Sequence, residues 1–214
     1  MNIISDTCVG AALQRDCIKQ EYENPFCWCT VDFNSMYYLI ENFEKINFND
    51  FELTRLTAAT AIANNFYRFD ENKKMLGLKI DNKFTVYYTH YIYDARYKEP
   101  KKIGPDVCYY RNFEYVYEKY VERLKRMSGT PTFIIIAFKR YGWTEEKITK
   151  LLSKNPKYKV FLITNVKCQT DKENFEIIYN KQLDSKFDES PITYIKKYYN
   201  RINDYVRSNE CSKN

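Results

Sequence analysis

Two residues of this chain have the types and settings for nucleophilic chemistry. Cys8 stands in Ile3-Ile4-Ser5-Asp6-Thr7-Cys8-Val9-Gly10, where a short apolar run passes through a polar turn into a helical pattern. A thiol at a helix N-terminus has its thiolate stabilised by unpaired backbone N–H groups and the helix dipole, one route to a reactive cysteine. His90 is the only histidine of the chain, so any step that needs an imidazole near neutral pH falls to it. Asp94, four residues after His90, or Asp6, close to Cys8, could orient the ring. A Cys–His dyad of this kind serves acyl or thioester transfer, or amide hydrolysis, through a covalent intermediate. The plainer alternative is a small thiol that fills space and a hydrogen-bonded structural histidine.

Substrate contacts are sought around the same residues. Asp6 and Thr7 share the turn, and either could cap the helix that follows. Trp28 and Tyr91 could stack on a sugar ring, although most aromatic residues of such a chain belong to its core. Arg123 and Arg126 fall on the polar side of a helical pattern and could clamp a phosphate or carboxylate; an ordinary solvated face is the competing reading. Lys98, Lys101 and Lys102 form a small basic cluster beside Pro100 and Gly104. Cys27-Trp28-Cys29 places two thiols on one face of a strand, but with no CxxC pair and a single histidine no metal site is expected. The chain has no GxxxxGK[ST] loop, no GxGxxG fingerprint and no GxSxG elbow, which argues against nucleotide hydrolysis, dinucleotide redox chemistry and a bound cofactor. It also lacks an Asp-x-Asp pair of the kind that holds a metal in many sugar-nucleotide transferases.

The elements that must position these residues follow from pattern. At 214 residues, 44% hydrophobic and 29% charged, the chain can build one sizeable core and stay in solution. Residues 2–5 form a first strand and 8–19 a helix; 26–31 is a buried strand and 34–46 a helix. Two apolar or β-branched runs, 76–80 and 84–92, flank Asp81-Asn82-Lys83 and predict a hairpin with His90 near the far end of its second arm. Residues 112–127 carry the best helical spacing: Phe113, Val116, Tyr117, Tyr120, Val121, Leu124 and Met127. The run 132–138, with Ile134, Ile135 and Ile136 in succession, is a strand buried on both faces. Thr144 then caps a helix to 153, a strand follows at 159–164, and this order makes a parallel unit. A strand at 175–179 and a helix at 192–207 close the pattern. The expectation is a single α/β domain over 1–214, with possible sub-domains 1–70 and 71–214: a helix-flanked, mixed but mainly parallel sheet with an inserted β-hairpin.

Charge and composition narrow the partners. The net charge of +6 is spread among acids rather than gathered into a basic stripe, so nucleic acid is not an expected partner. No apolar run reaches the length of a membrane span, and the first residues lack a signal-peptide pattern, so the expected location is the cytoplasm. Seven cysteines at irregular spacing fit reduced thiols rather than a disulfide framework.

Several of these segments together resemble a bacterial family named for exopolysaccharide biosynthesis. The resemblance is carried by Ile3-Ile4-Ser5-Asp6-Thr7-Cys8-Val9-Gly10, Asn24-Pro25-Phe26, Asp32-Phe33 with Leu39-Ile40-Glu41-Asn42, and His90-Tyr91. It continues through residues 119–127, the block 133–136 and Arg140-Tyr141-Gly142-Trp143-Thr144-Glu145-Glu146, and covers most of the chain in order. A neighbouring family that shares the Cys and His positions is described as papain-like cysteine peptidases. The resemblance implies a cytoplasmic α/β protein encoded with surface-polysaccharide genes, with Cys8 and His90 as its functional residues and a glycan precursor or small molecule as substrate. Polysaccharide-assembly enzymes would be its partners. Tyr120 and the spaced Arg123 and Arg126 stand where that family often has Trp and paired arginines, and residues 93–112 form a longer segment after His90. The leading expectation is a Cys–His transferase or hydrolase; the rivals are a non-catalytic glycan-precursor binder or scaffold, and a metal-free glycosyltransferase using Arg123, Arg126 and Lys101.

Overall fold

The run centred on Ile134-Ile135-Ile136 becomes the spine of the molecule. The computed structural model describes residues 2–7, 9–16, 24–27, 30–31, 33–48, 52–57, 74–80, 84–87, 113–127, 129–139, 142–181 and 195–211. In it the apolar run is strand β6 (Pro131–Ala137), buried along its whole length. β1 (Asn2–Ser5) pairs with one edge of β6, β7 (Lys159–Thr164) with the other, and β8 (Phe175–Tyr179) with β7. All three pairings are parallel, with Ser5 opposite Ile134, Ala137 opposite Thr164, and Thr164 opposite Tyr179.

The two-residue period of a strand divides the spine between two cores. Phe133, Ile135 and Ala137 join Ile4, Val160 and Leu162 on one face, while Ile134, Ile136 and Phe138 join Ile3, Phe161 and Ile163 on the other. The first face is covered by Met36, Leu39 and Ile40 of α2 (Phe33–Asn42), Tyr120 of α3 (Phe113–Leu124), and Ile148 and Leu151 of α4 (Glu145–Leu152). The second is covered by Leu13 of α1 (Val9–Asp16), by Ile195, and by Ile202 of α5 (Tyr199–Cys211). Each such aliphatic or aromatic side chain contributes about 1.5–3 kcal/mol by leaving water, and this double burial is what holds helices on both sides.

α4 begins as its sequence demands. Thr144 is its N-cap, with Oγ1 accepting the N–H of Lys147 at 3.2 Å, and Glu145 and Glu146 occupy the first turn. At its other end Lys172 Nζ donates to the carbonyls of Leu152 at 2.8 Å and Lys154 at 2.7 Å.

A second, antiparallel sheet runs in the order β2 (Thr30–Val31), β5 (Phe84–Tyr87), β4 (Lys74–Ile80), β3 (Glu52–Thr57). The helix-flanked α/β class stands, but the strands divide into an all-parallel and an antiparallel sheet instead of sharing a mixed one. β4 and β5 pair antiparallel, with Ile80 opposite Phe84, within that second sheet. β6 and β7 are joined through α4, which lets them pair in parallel, whereas β4 and β5, only three residues apart, pair antiparallel. The strand expected over 26–31 is shorter. Residues 25–27 form a turn because Asn24 Oδ1 accepts the N–H of Phe26 at 2.8 Å and the Asn24 carbonyl that of Cys27 at 3.1 Å.

Candidate functional site

The chain leaves β1 and β6 in opposite directions. After β1 it enters α1, on the face of Ile3 and Ile134; after β6 it enters α4, on the face of Ile4 and Phe133. Neighbouring parallel strands whose continuations part in this way open a crevice beyond their carboxyl ends, the ordinary ligand position of open α/β sheets. Ser5, Asp6 and Thr7 occupy that position.

Asp6 is held from every side. Its N–H reaches the Ile134 carbonyl at 3.4 Å, and its own carbonyl accepts the N–H of Val31 at 3.1 Å, which ties the second sheet to the end of the first. Its Oδ1 accepts the N–H of Ile136 at 3.0 Å. The Ser5 hydroxyl, the Asp6 N–H and the Trp143 indole N–H also donate to this carboxyl. These donors favour the ionised form, yet complete burial outweighs them and pushes the pKa from 3.8 up to about 7. The carboxyl therefore exchanges its proton near neutrality.

Close packing holds α1 against this turn. A Cβ on Gly10 would come within 2.6 Å of Ser5 Cβ and 3.4 Å of Ile3 Cγ2, so only glycine lets the helix approach β1 so nearly. Thr7 is half-buried, and its N–H lies 3.4 Å from Ser5 Oγ. Cys8 is the residue between Thr7 and Val9, which opens α1. Cys8, Trp28, His90, Tyr91, Asp94 and Lys101 lie outside the described residues. Of the residues singled out in the sequence, Asp6 and Thr7 are thus brought to the crevice.

The two arginines part company. Arg123 is buried, not presented on a polar face, and its guanidinium donates to the Cys27 carbonyl at 3.1 Å. That contact joins a polar cluster in which Cys27 Sγ donates to Gln14 Oε1 at 2.6 Å and Asn24 Nδ2 to the Ile3 carbonyl at 2.8 Å. Arg126, three residues on, is exposed and paired with Glu122.

Two residues at this edge escaped the reading of the sequence as site groups. Trp143 follows β6 and covers Asp6, a relation between positions 137 residues apart that no local pattern announces. Asn165 follows β7; its Oδ1 accepts the N–H of Lys139 at 3.1 Å, and its buried Nδ2 has no hydrogen-bond partner among the described residues. A polar residue directly after an apolar strand was the available signal.

The opposite end of the sheet holds a cleft of about 280 Å³ between residues 40–45 and 154–158. Its walls are joined by ion pairs, Lys154 with Glu41 and Lys157 with Glu44. Among the described residues no group of three or more His, Cys, Asp or Glu is placed to hold a metal ion. No helix among them is long and apolar enough to cross a membrane. No protein-family model matches the chain, and no curated protein matches its sequence.

Proposed function

We propose that this chain is a cytoplasmic enzyme of surface-polysaccharide assembly that works by covalent catalysis in the crevice beyond β1 and β6, on a glycan precursor or related small molecule. Cys8 is the nucleophile and His90 the general base. Cys8 Sγ attacks an acyl or thioester carbonyl carbon, His90 takes the thiol proton and returns it to the leaving group, and water or an acceptor hydroxyl then releases the acyl group from sulfur. Asp94 orients the imidazole, Thr7 with Trp28 and Tyr91 contacts the substrate, and the enclosed Asp6 holds the turn beneath it.

The observation that carries this reading is Asp6, a fully buried acid retained at the switch point of the sheet immediately upstream of Cys8. Burying an ionisable group costs stability near neutrality, and such costs gather at working sites. The reading as a metal-free glycosyltransferase draws less support, because Arg123 donates into the Cys27 carbonyl and Arg126 pairs with Glu122. A non-catalytic binder would use the same crevice without a reactive thiol.

The test is the pH dependence of Cys8 alkylation, followed by mass spectrometry in the natural chain and in His90→Ala. A thiolate that titrates well below the free-cysteine value of about 8.5, and returns toward it without His90, is the expected result. A Cys8 that is unreactive, or indifferent to His90, overturns the dyad and leaves the binder.

A further inference from the structure

Beyond Asp6, the carboxyl edge continues across three more strand ends with a consistent chemistry. β6 is followed by Lys139, β7 by Asn165 and Lys167, and β8 by Asn180 and Lys181. Lys139, Lys167 and Lys181 are exposed, none has an ion pair among the described residues, and no acid stands among residues 138–139, 165–167 and 180–181. Adjacent strands lie about 4.8 Å apart, so the three ends span about 10 Å.

The donors buried at this edge are mostly committed. Phe138 N–H goes to the Ile136 carbonyl at 3.0 Å, Val166 N–H to Thr164 Oγ1 at 3.0 Å, and Thr164 Oγ1 itself to the Ala137 carbonyl at 2.8 Å. The exception is Asn165. It is 7% exposed, its oxygen is fixed by Lys139 N–H, and its Nδ2 is left without a partner among the described residues. Buried donors in folded proteins are nearly always satisfied, so a donor left over at the carboxyl edge is suited to an acceptor brought by a ligand.

We infer that the carboxyl ends of β6, β7 and β8 form a subsite for an anionic oxygen group of the substrate, a phosphate or a carboxylate, in which Asn165 Nδ2 is the buried donor and Lys139, Lys167 and Lys181 supply the charge. The inference rests on the carboxyl edge being the working edge and is independent of the thiolate. Asn165 is a binding residue here. An amide oxygen held by Lys139 N–H fixes the direction of the NH₂ group, so the donor is preorganised and costs little to engage.

The test is calorimetric titration of the full chain with inorganic phosphate, pyrophosphate and glucuronate at low and high salt. At least one anion is expected to bind, more weakly at high salt; phosphates alone or glucuronate alone then identifies the group. Asn165→Asp keeps an oxygen for Lys139 N–H while replacing the donor with a negative charge. It is expected to weaken binding by about tenfold or more, the worth of one hydrogen bond to a charged group. Lys139→Gln/Lys167→Gln changes only exposed side chains and is expected to lower affinity and flatten the salt dependence. Absence of binding by all three anions, or affinity unchanged in either variant, overturns the subsite. An unreactive Cys8 with intact anion binding overturns the covalent reading alone, and a reactive Cys8 without anion binding overturns only the subsite.

Discussion

The two ends of the parallel sheet solve the same problem in opposite ways. At the amino end most polar groups are matched: Tyr120 Oη donates to the Phe48 carbonyl at 2.7 Å, Asn174 Nδ2 to the Pro156 carbonyl at 2.7 Å, and the cleft walls are joined by paired charges. The exception is the Tyr158 hydroxyl, buried without a hydrogen-bond partner among the described residues, its pKa pushed up to about 12 first by burial and then by Glu44. Phe43, Phe133 and Tyr158 pack together there, with ring centroids 5.7–6.1 Å apart. At the carboxyl end an acid is buried, an amide hydrogen donor lacks a partner among the described residues, and exposed lysines stand without acids. The amino end is mostly cohesive packing and paired charge; the carboxyl end adds a buried acid and lysines unpaired among the described residues, costs that cohesion alone would have removed.

The contrast can be broken most forcefully at its cohesive end. Phe133→Ala is expected to destabilise the chain by about 3–5 kcal/mol in urea denaturation, while the alkylation rate of Cys8 in the folded protein stays as it was. A change in that rate would mean that the two ends are coupled.

Asp6→Asn sharpens the other end. Its folded pKa of about 7 exceeds the ordinary 3.8, so the stability contributed by the protonated carboxyl is full below pH 3.8 and is lost as pH rises to about 7. The slope is roughly 1.4 kcal/mol per pH unit in that window, with stability falling as pH rises. The amide, which mimics the neutral acid and still offers Oδ1 to Ile136 N–H, is expected to flatten this slope in denaturation curves at successive pH values. A slope that persists would place the titrating group elsewhere.

Gly10→Ala tests the close approach of α1. With 2.6 Å to Ser5 Cβ, the added methyl must push the helix off β1, at an expected cost of roughly 1–3 kcal/mol and with altered Cys8 reactivity. The smallest effect belongs to the surface of the cohesive end. Glu41→Gln is expected to leave the thermal midpoint unresolved from that of the natural chain, because its pair with Lys154 is solvent-exposed.

How much of this was legible depends on how local the cause is. The spine strand, the Thr144 cap and the strand at 159–164 follow from neighbours in sequence: an apolar run, a hydroxyl before two glutamates, a turn before β-branched residues. The shortened β2 does not, because Asn24 captures Phe26 N–H and turns a run that reads as strand. Arg123 reads as polar by its helical period, yet the Cys27 carbonyl, 96 positions away, draws it inward. Asp6 reads as a cap or an orienter; its burial is created by Ile136 and Trp143, which no window around residue 6 contains. Asn165 is an ordinary asparagine until Lys139 fixes its oxygen.

The pairing of β1 with β6 also dictates an order of events during synthesis. Asn2 is partnered by Pro131, so the first strand leaves the ribosome 129 residues before its neighbour exists. At about 5–20 residues per second the nascent strand waits on the order of ten seconds, an edge with nothing to close it. Asp6 spends that interval in water as an ordinary ionised carboxylate. When β6 and Trp143 arrive the same group is enclosed and its affinity for a proton rises, so docking of β1 onto β6 is coupled to the acidity of the surroundings.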